Sequence, residues 1–424
     1  MKEISKRMKT IAAILGVGGA LGFLLLLIVY TLPASRMVYN ASASIELFEE
    51  LGCNPQIIKG YESTTIDTYT DAWMMRIAFY DGKESALQKS LNNYSFGYDG
   101  GQTGNVCESM IAYLKGLDGY KRFSYGRYWH GYLIILKPLL CFFDYSDIMG
   151  ILKFVQIALA AGCIVLMERR KIAKCIPCLI VMLGCVEFHV IGMSMQFSWV
   201  FIIAMICSIC LLRIDENKIY DVTVDLTFLL AGMCTSYFDF LTYPLFTLGI
   251  PLTFIFLRRN VSEQKGRLFF TSLLNSFYWL VGYGGMWFIK WVLCTVFTDE
   301  NVIADGFSAI MSRSGSDVMG EKVGYWDVLE KNMWIIGKYP YALAVICAVI
   351  LLMVGKGQFV KVSKDMLAAG LFIACLPLLW YAISRNHSYI HSFMTYRNLS
   401  ISVFAVLCFL AQIKKPLERD KDML

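Results

Sequence analysis

Charge is scarce in this chain. Asp, Glu, Lys and Arg make up 17% of its 424 residues, where a soluble domain carries about 25%. With 57% hydrophobic residues, a water-soluble fold would have too little polar surface to cover itself. A soluble enzyme or a soluble binding module is therefore excluded. Two cofactor motifs are also missing. There is no Gly-x-x-x-x-Gly-Lys-Ser/Thr phosphate loop, which excludes that route to ATP drive, and no Gly-x-Gly-x-x-Gly following a strand. Internal repeats and low-complexity tracts are absent. The net charge of +6 invites a nucleic-acid reading, but the Lys and Arg residues sit in short segments between apolar runs. That placement is a topology signal, and no nucleic-acid partner is expected.

What the chain has in abundance is apolar runs long enough to cross a hydrocarbon core of about 30 Å. Backbone polar groups inside such runs must be satisfied locally, so helix is the default. The expected fold class is an all-α polytopic membrane protein of about ten transmembrane helices, with a large helical first extracytoplasmic loop. The spans are expected near 11–32, 147–167, 174–191, 195–213, 222–239, 243–257, 268–297, 339–354, 366–383 and 398–413. Lys2, Lys6, Arg7 and Lys9 precede a run from Ile11 to Leu32 that is longer than a signal peptide's apolar core, so an uncleaved first helix is expected. Basic residues recur at Arg169, Arg170, Lys171 and Lys174, at Arg213 and Lys218, at Arg258, Arg259, Lys265 and Arg267, at Lys356, Lys361 and Lys364, and at Lys414, Lys415, Arg419 and Lys421. Their bias puts both termini in the cytoplasm.

The organisation that follows is a cytoplasmic tail and first span (1–32), an extracytoplasmic loop with surface helices (33–146), a helix bundle (147–413) and a cytoplasmic tail (414–424). Helical stretches are expected from Ala72 to Phe79 and from Val106 to Leu114, with a turn-rich stretch from Phe96 to Gly104. Tyr128 to Phe143 is apolar but interrupted by Lys137-Pro138, so it reads as an interfacial helix and not a crossing. A second outer loop near 298–338 is polar at Ser312 to Asp317 and expected to be mobile. Of the 14 Cys, only Cys53 and Cys107 fall between Pro33 and Tyr128, and their pairing stays open. Cys175-x-x-Cys178 reads as packing at a span end. Gly282-Tyr-Gly-Gly285 lies inside a span, which points to close helix packing or a kink.

Ionisable groups at a membrane edge are costly and mark function by default. All four His residues (His130, His189, His387, His391) fall at expected outer ends of spans, as do Glu187, Asp239, Arg385 and Arg397, while Asp67, Asp71 and Asp81 lie in the outer loop. Clustering on one side from five distant segments suggests a shared outward-facing cavity. Asp71 reads either as a helix cap or as a general base, with Asp67 as the second candidate base. Arg127 reads as a bidentate phosphate ligand with His130 as a second donor, and Trp129 as a platform for a sugar face. The alternative for that segment is an aromatic anchoring belt. Glu187 and His189 form either a structural pair or a ligand site. Asp239 either caps the helix that begins near Pro244 or holds an acceptor hydroxyl. Arg385, His387, His391 and Arg397 suit phosphate recognition. The His387/His391 spacing can bind a metal, but no further ligand completes the set, so neither metal nor other cofactor is expected.

This layout resembles the GT-C superfamily of membrane glycosyltransferases. The likeness covers the architecture of the whole chain and rests on an acidic residue in the first outer loop (Asp71 or Asp67), then Arg127 and His130, then Arg385, His387, His391 and Arg397. The resemblance implies transfer of a sugar from a polyprenyl-phosphate carrier to an extracytoplasmic glycan or cell-wall polymer, at the outer face of a bacterial plasma membrane. It implies a lipid-linked donor, a glycan acceptor and membrane lipids as partners. The candidate Asp lies farther from the first span than in many members, and a large C-terminal outer domain is missing. A flippase or carrier for lipid-linked substrates, an O-antigen-type polymerase or ligase, and a non-catalytic scaffold are the alternatives.

Overall fold

The structure is a computed structural model that describes residues 2–98, 105–262, 267–338, 340–354, 358–359 and 361–415. Residues 99–104 of the turn-rich stretch, Lys265, Lys356 and the tail from 416 to 424, with Arg419 and Lys421, lie outside the described residues.

The chain is mostly helical, with little sheet. Among the described residues, six helices are long and apolar enough to cross a membrane: Ser5–Val29, Tyr145–Arg169, Met195–Arg213, Leu268–Phe297, Lys364–Ile383 and Ser392–Ile413. They mark an integral membrane protein. The helices Tyr325–Ile336 and Tyr341–Val354, bent by 80° at their junction, add a seventh if counted as one span. The remaining expected spans are shorter helices, Ile176–Cys185, Val222–Phe238 and Phe246–Val261. The 174–191 stretch breaks because Glu187 turns the chain at φ 54° before a last short helix, Phe188–Ile191.

Two glycines set the tightest helix pair. A Cβ on Gly232 would stand 2.1 Å from the Trp279 carbonyl, and one on Gly282 would stand 2.1 Å from the Leu229 carbonyl. The helices Val222–Phe238 and Leu268–Phe297 thus touch backbone to backbone, which side chains would prevent. The first helix packs across the same pair, and the Tyr237 hydroxyl donates to the Gly22 carbonyl at 2.7 Å.

The Met195–Arg213 helix is held at both ends by charge of the sign its dipole favours. At its C-terminal end, Arg170 donates to the carbonyls of Leu212 and Arg213, and Arg258 to those of Leu211 and Ile214. At its N-terminal end the partner is Asp71.

The described residues between 33 and 132 form a small layer of helices and one two-stranded antiparallel sheet, in which Phe96 pairs with Arg122 across strands Ser95–Gly97 and Lys121–Phe123. Its interior is aromatic: Phe96 stacks on Tyr113 at 4.3 Å, and Phe79 on Tyr113 at 5.6 Å. A disulfide joins Cys53 to Cys107, with Cα atoms 6.2 Å apart. Lys137, buried in the short helix Leu133–Leu140, reaches the Ala78 carbonyl at the end of helix Thr68–Ala78. Lys290 of the Leu268–Phe297 helix donates to Ser90 and Leu91 carbonyls. Both contacts tie the layer to the bundle. The second expected outer loop holds a helix, Val302–Ser314, which takes in the first part of its polar stretch.

Candidate functional site

Four of the segments singled out in the sequence meet at one end of the bundle, around a cavity of about 290 Å³, where Gln196 and Arg313 join them. Helix Thr68–Ala78 contributes Tyr69, Thr70 and Trp73. The 125–128 segment contributes Tyr125, Arg127 and Tyr128, and the turn after Phe238 contributes Phe240. Gln196 comes from the start of the Met195–Arg213 helix, Arg313 from helix Val302–Ser314, and His387, His391 and Met394 from the 385–395 segment. The lining combines aromatic faces with two guanidinium groups and two imidazoles. Several polar atoms there have no hydrogen-bond partner among the described residues: Gln196 Oε1, Trp73 Nε1, Arg127 Nε and Arg313 Nη1. Buried polar groups are nearly always paired, so an unpaired set converging on a cavity points to a polar ligand.

Arg313 is the residue that sequence reading missed. It sits over the Tyr128 ring at 5.5 Å, and no carboxylate pairs with it among the described residues. A periodic signal was present: Val302, Gly306 and Ala309 form the buried stripe of that helix, and Arg313 continues it at i+4. Arg313 also lines a second space of about 360 Å³, an aromatic groove formed by Tyr283, Gly284, Trp287, Phe288 and Trp291 on one side and Trp380 and Ile383 on the other. Phe288 and Ile383 are exposed at its mouth. A polar cavity and an apolar groove therefore meet at one cation.

The two candidate bases have different surroundings. Asp71 is fully buried, and both its oxygens are engaged. Oδ2 accepts the Tyr145 hydroxyl at 2.7 Å and the Met195 N–H at 2.9 Å; Oδ1 accepts the Gln196 N–H at 3.0 Å and the Ser194 hydroxyl at 3.3 Å. It caps a helix, but a distant one and not its own. Asp67 is the cap of its own helix, through Oδ1 to the Thr70 N–H at 3.0 Å, and its Oδ2 is buried without a partner. Burial lifts both carboxyls, Asp67 to about 6 and Asp71 to about 7, the charge of Asp67 adding to the rise at Asp71. Neither lines the cavity, although Thr70 and Gln196, whose N–H groups they hold, both do.

The other candidates divide. Arg127 is on the wall and shares a bond to Asp305 at 3.1 Å. His130 lies just behind, its Nε2 donating to the Tyr125 carbonyl and its Nδ1 bonded to the Tyr132 hydroxyl. Burial, with Lys290 and Arg127 nearby, holds its basicity well below the usual imidazole range. Trp129 is buried, its indole N–H donating to the Met286 carbonyl at 2.7 Å, and presents no face to the cavity. His387 donates from Nε2 to the Leu241 carbonyl at 2.7 Å, and Asp239 accepts the N–H groups of Leu241 and Thr242. Together they hold Leu241 at φ 73°, a conformation a branched side chain rarely adopts, where the cavity and the groove approach each other. The His387 and His391 rings are 4.7 Å apart. Burial, with His391 and Arg313 nearby, holds His387 well below the usual imidazole range, and burial with Arg313 pushes His391 down to about 4. No group of three metal-binding side chains occurs among the described residues.

Arg397, Arg385, Glu187 and His189 lie off the cavity. Arg397 is fully buried, donates to the carbonyls of Val186, Phe393 and Ser63, and stacks over Phe197 at 4.1 Å. It fastens three chain segments together. Arg385 is half-buried beside the groove wall. Glu187 takes the Tyr341 hydroxyl, while His189 is exposed. Of the two readings for Glu187 and His189, the pair does not form, because Glu187 contacts a residue far along the chain. Searches against protein-family models, curated proteins and solved structures found no match for this chain.

Proposed function

We propose that this chain is a membrane glycosyltransferase of the GT-C type, moving a sugar from a polyprenyl-phosphate donor to an extracytoplasmic glycan or cell-envelope acceptor. In this reading the shorter apolar helices complete a bundle of about ten crossings, and the layer at 33–132 faces away from the cytoplasm. The observation that carries the reading is the shared position of Arg313, with an aromatic groove on one side and a polar, aromatic-walled cavity on the other. An amphiphile with a hydrocarbon chain, a phosphate and a sugar matches that sequence of environments. The chain lies along Tyr283, Trp287 and Trp380, the phosphate meets Arg313, and the sugar lies among Tyr69, Trp73 and Tyr125.

The reaction needs only this much. An acceptor hydroxyl oxygen bonds to the anomeric carbon, the bond from that carbon to the phosphate oxygen breaks, and the lipid phosphate leaves with the electron pair. Arg313 and Arg127 stabilise the charge that develops on the leaving phosphate. The acceptor proton goes to a carboxylate. Asp67, with a free oxygen and a proton affinity lifted toward neutrality, suits that role better than the fully engaged Asp71. It stands directly behind Thr70 of the cavity wall, whose N–H it accepts.

One observation favours a second reading, an O-antigen-type polymerase or ligase: the cavity lining holds cations and imidazoles but no carboxylate. Transfer from radiolabelled prenyl-phosphate sugars in isolated membranes tests the proposal. Arg313→Ala is expected to lower the rate at least tenfold, since a bond to a charged group contributes about 1.5–3 kcal/mol. Asp67→Asn is expected to abolish transfer under the first reading and leave it intact under the second. A rate that Arg313→Ala does not touch overturns both.

A further inference from the structure

A second polar cleft, of about 750 Å³, opens on the other side of the 121–125 segment. Phe123 and Ser124 face this cleft while Tyr125 faces the cavity described above, and the Trp73 ring packs between them, 5.6 Å from Phe123 and 5.3 Å from Tyr125. Aromatic faces are supplied by Tyr94 and Phe123, and hydrogen-bonding groups by Asn92, Asp299 and Glu300. Asn92 is 4% exposed and its Oδ1 has no partner, while its Nδ2 donates to the Tyr94 hydroxyl at 2.6 Å. A buried acceptor is therefore waiting in the wall for an O–H or N–H donor. The charge of Arg122 is matched by Glu84, so the exposed carboxylates of Asp299 and Glu300 set the sign of the cleft.

We infer that this cleft binds a neutral or amino-bearing oligosaccharide. Sugar rings present flat C–H faces to aromatic rings and hydroxyl groups to carboxylates and amides, which is the residue mix found here. Uncompensated carboxylates repel uronic or phosphorylated chains and attract protonated amines. The cleft and the donor cavity share one thin wall, so a glycan held here lies beside the cavity without entering it. This binding does not depend on the transfer reaction and is measured without any prenyl donor.

The test uses the purified full chain in nanodiscs and isothermal titration with four probes: chitotetraose, its deacetylated tetra-amine, tetragalacturonate and tetralysine. Saturable binding of the first two and none of the third is expected. The Asp299→Asn/Glu300→Gln pair retains oxygen acceptors while removing the charge. It is expected to weaken the tetra-amine at least tenfold, spare chitotetraose and admit tetragalacturonate. Asn92→Ala is expected to weaken both sugar probes, with an unchanged melting temperature showing that the fold is intact. Should Asn92→Ala unfold the chain, the carboxylate pair still decides. Absence of saturable sugar binding, binding of tetralysine in place of both sugars, or indifference of the tetra-amine to the charge-removing pair overturns the inference.

Discussion

The Asp71 carboxylate accepts the backbone N–H of Met195 at 2.9 Å across 124 positions of sequence. A side chain of the 33–132 layer thereby closes the N-terminus of a membrane helix, and the Gln196 N–H and Tyr145 hydroxyl complete the contact. Removing it strands buried donors at about 1–3 kcal/mol each. Asp71→Ala is expected to lower the melting temperature in detergent and the yield of folded protein. Asp71→Asn, which retains one carbonyl oxygen, is expected to fall between. An Asp71→Asn chain that melts like the unaltered one but transfers no sugar would return the base role to Asp71.

Asp67 gives the pH dependence. Burial raises its carboxyl to about 6, and a general base acts only when deprotonated. The rate under limiting substrate should therefore rise with pH, bend near 6 and level off above it. Measuring kcat/KM from pH 4.5 to 8 checks the position of the bend. Asp67→Asn should remove the ascending limb together with the activity.

Backbone contact between two spans sets a steric prediction. Gly232→Ala or Gly282→Ala places a methyl group 2.1 Å from a carbonyl oxygen, and forced overpacking costs about 1–3 kcal/mol. Gly150, in helix Tyr145–Arg169, has open space around it. Gly150→Ala should be neutral or stabilise by about 0.5–1 kcal/mol. Thermal unfolding of the three variants in one detergent separates the cases.

The Cys53–Cys107 bond closes a long loop in the 33–132 layer. Its loss is expected to cost about 2–4 kcal/mol and to expose the layer to protease while the spans stay protected. Comparing limited proteolysis of the unaltered chain with that of Cys53→Ser reads this directly. In intact cells, membrane-impermeant maleimide should label these two thiols only after reduction.

The spans were legible because length and apolarity are local properties: Leu268 to Phe297 needs no partner to be recognised as a long apolar helix. The convergence of Arg127, Gln196, His387 and His391 on one cavity was only half legible. Their common placement at span ends was visible, but neutral Gln196 carries no charge to mark it. Arg313 was hidden for a different reason. Its neighbours Ser312, Ser314 and Gly315 read as a loop, and only the buried stripe from Val302 to Ala309 shows that the helix reaches it. Long-range pairings were beyond reach. Glu187 with Tyr341, Asp71 with Met195 and Arg397 with Val186 are each set by tertiary packing that no local pattern records.

The Met195–Arg213 helix carries a fastening at each tip, acid above and guanidinium below. A rod pinned in this manner resists sliding and tilting relative to its neighbours. Any large rocking of the protein must carry Tyr145–Arg169, the Thr68–Ala78 segment and this rod as one piece.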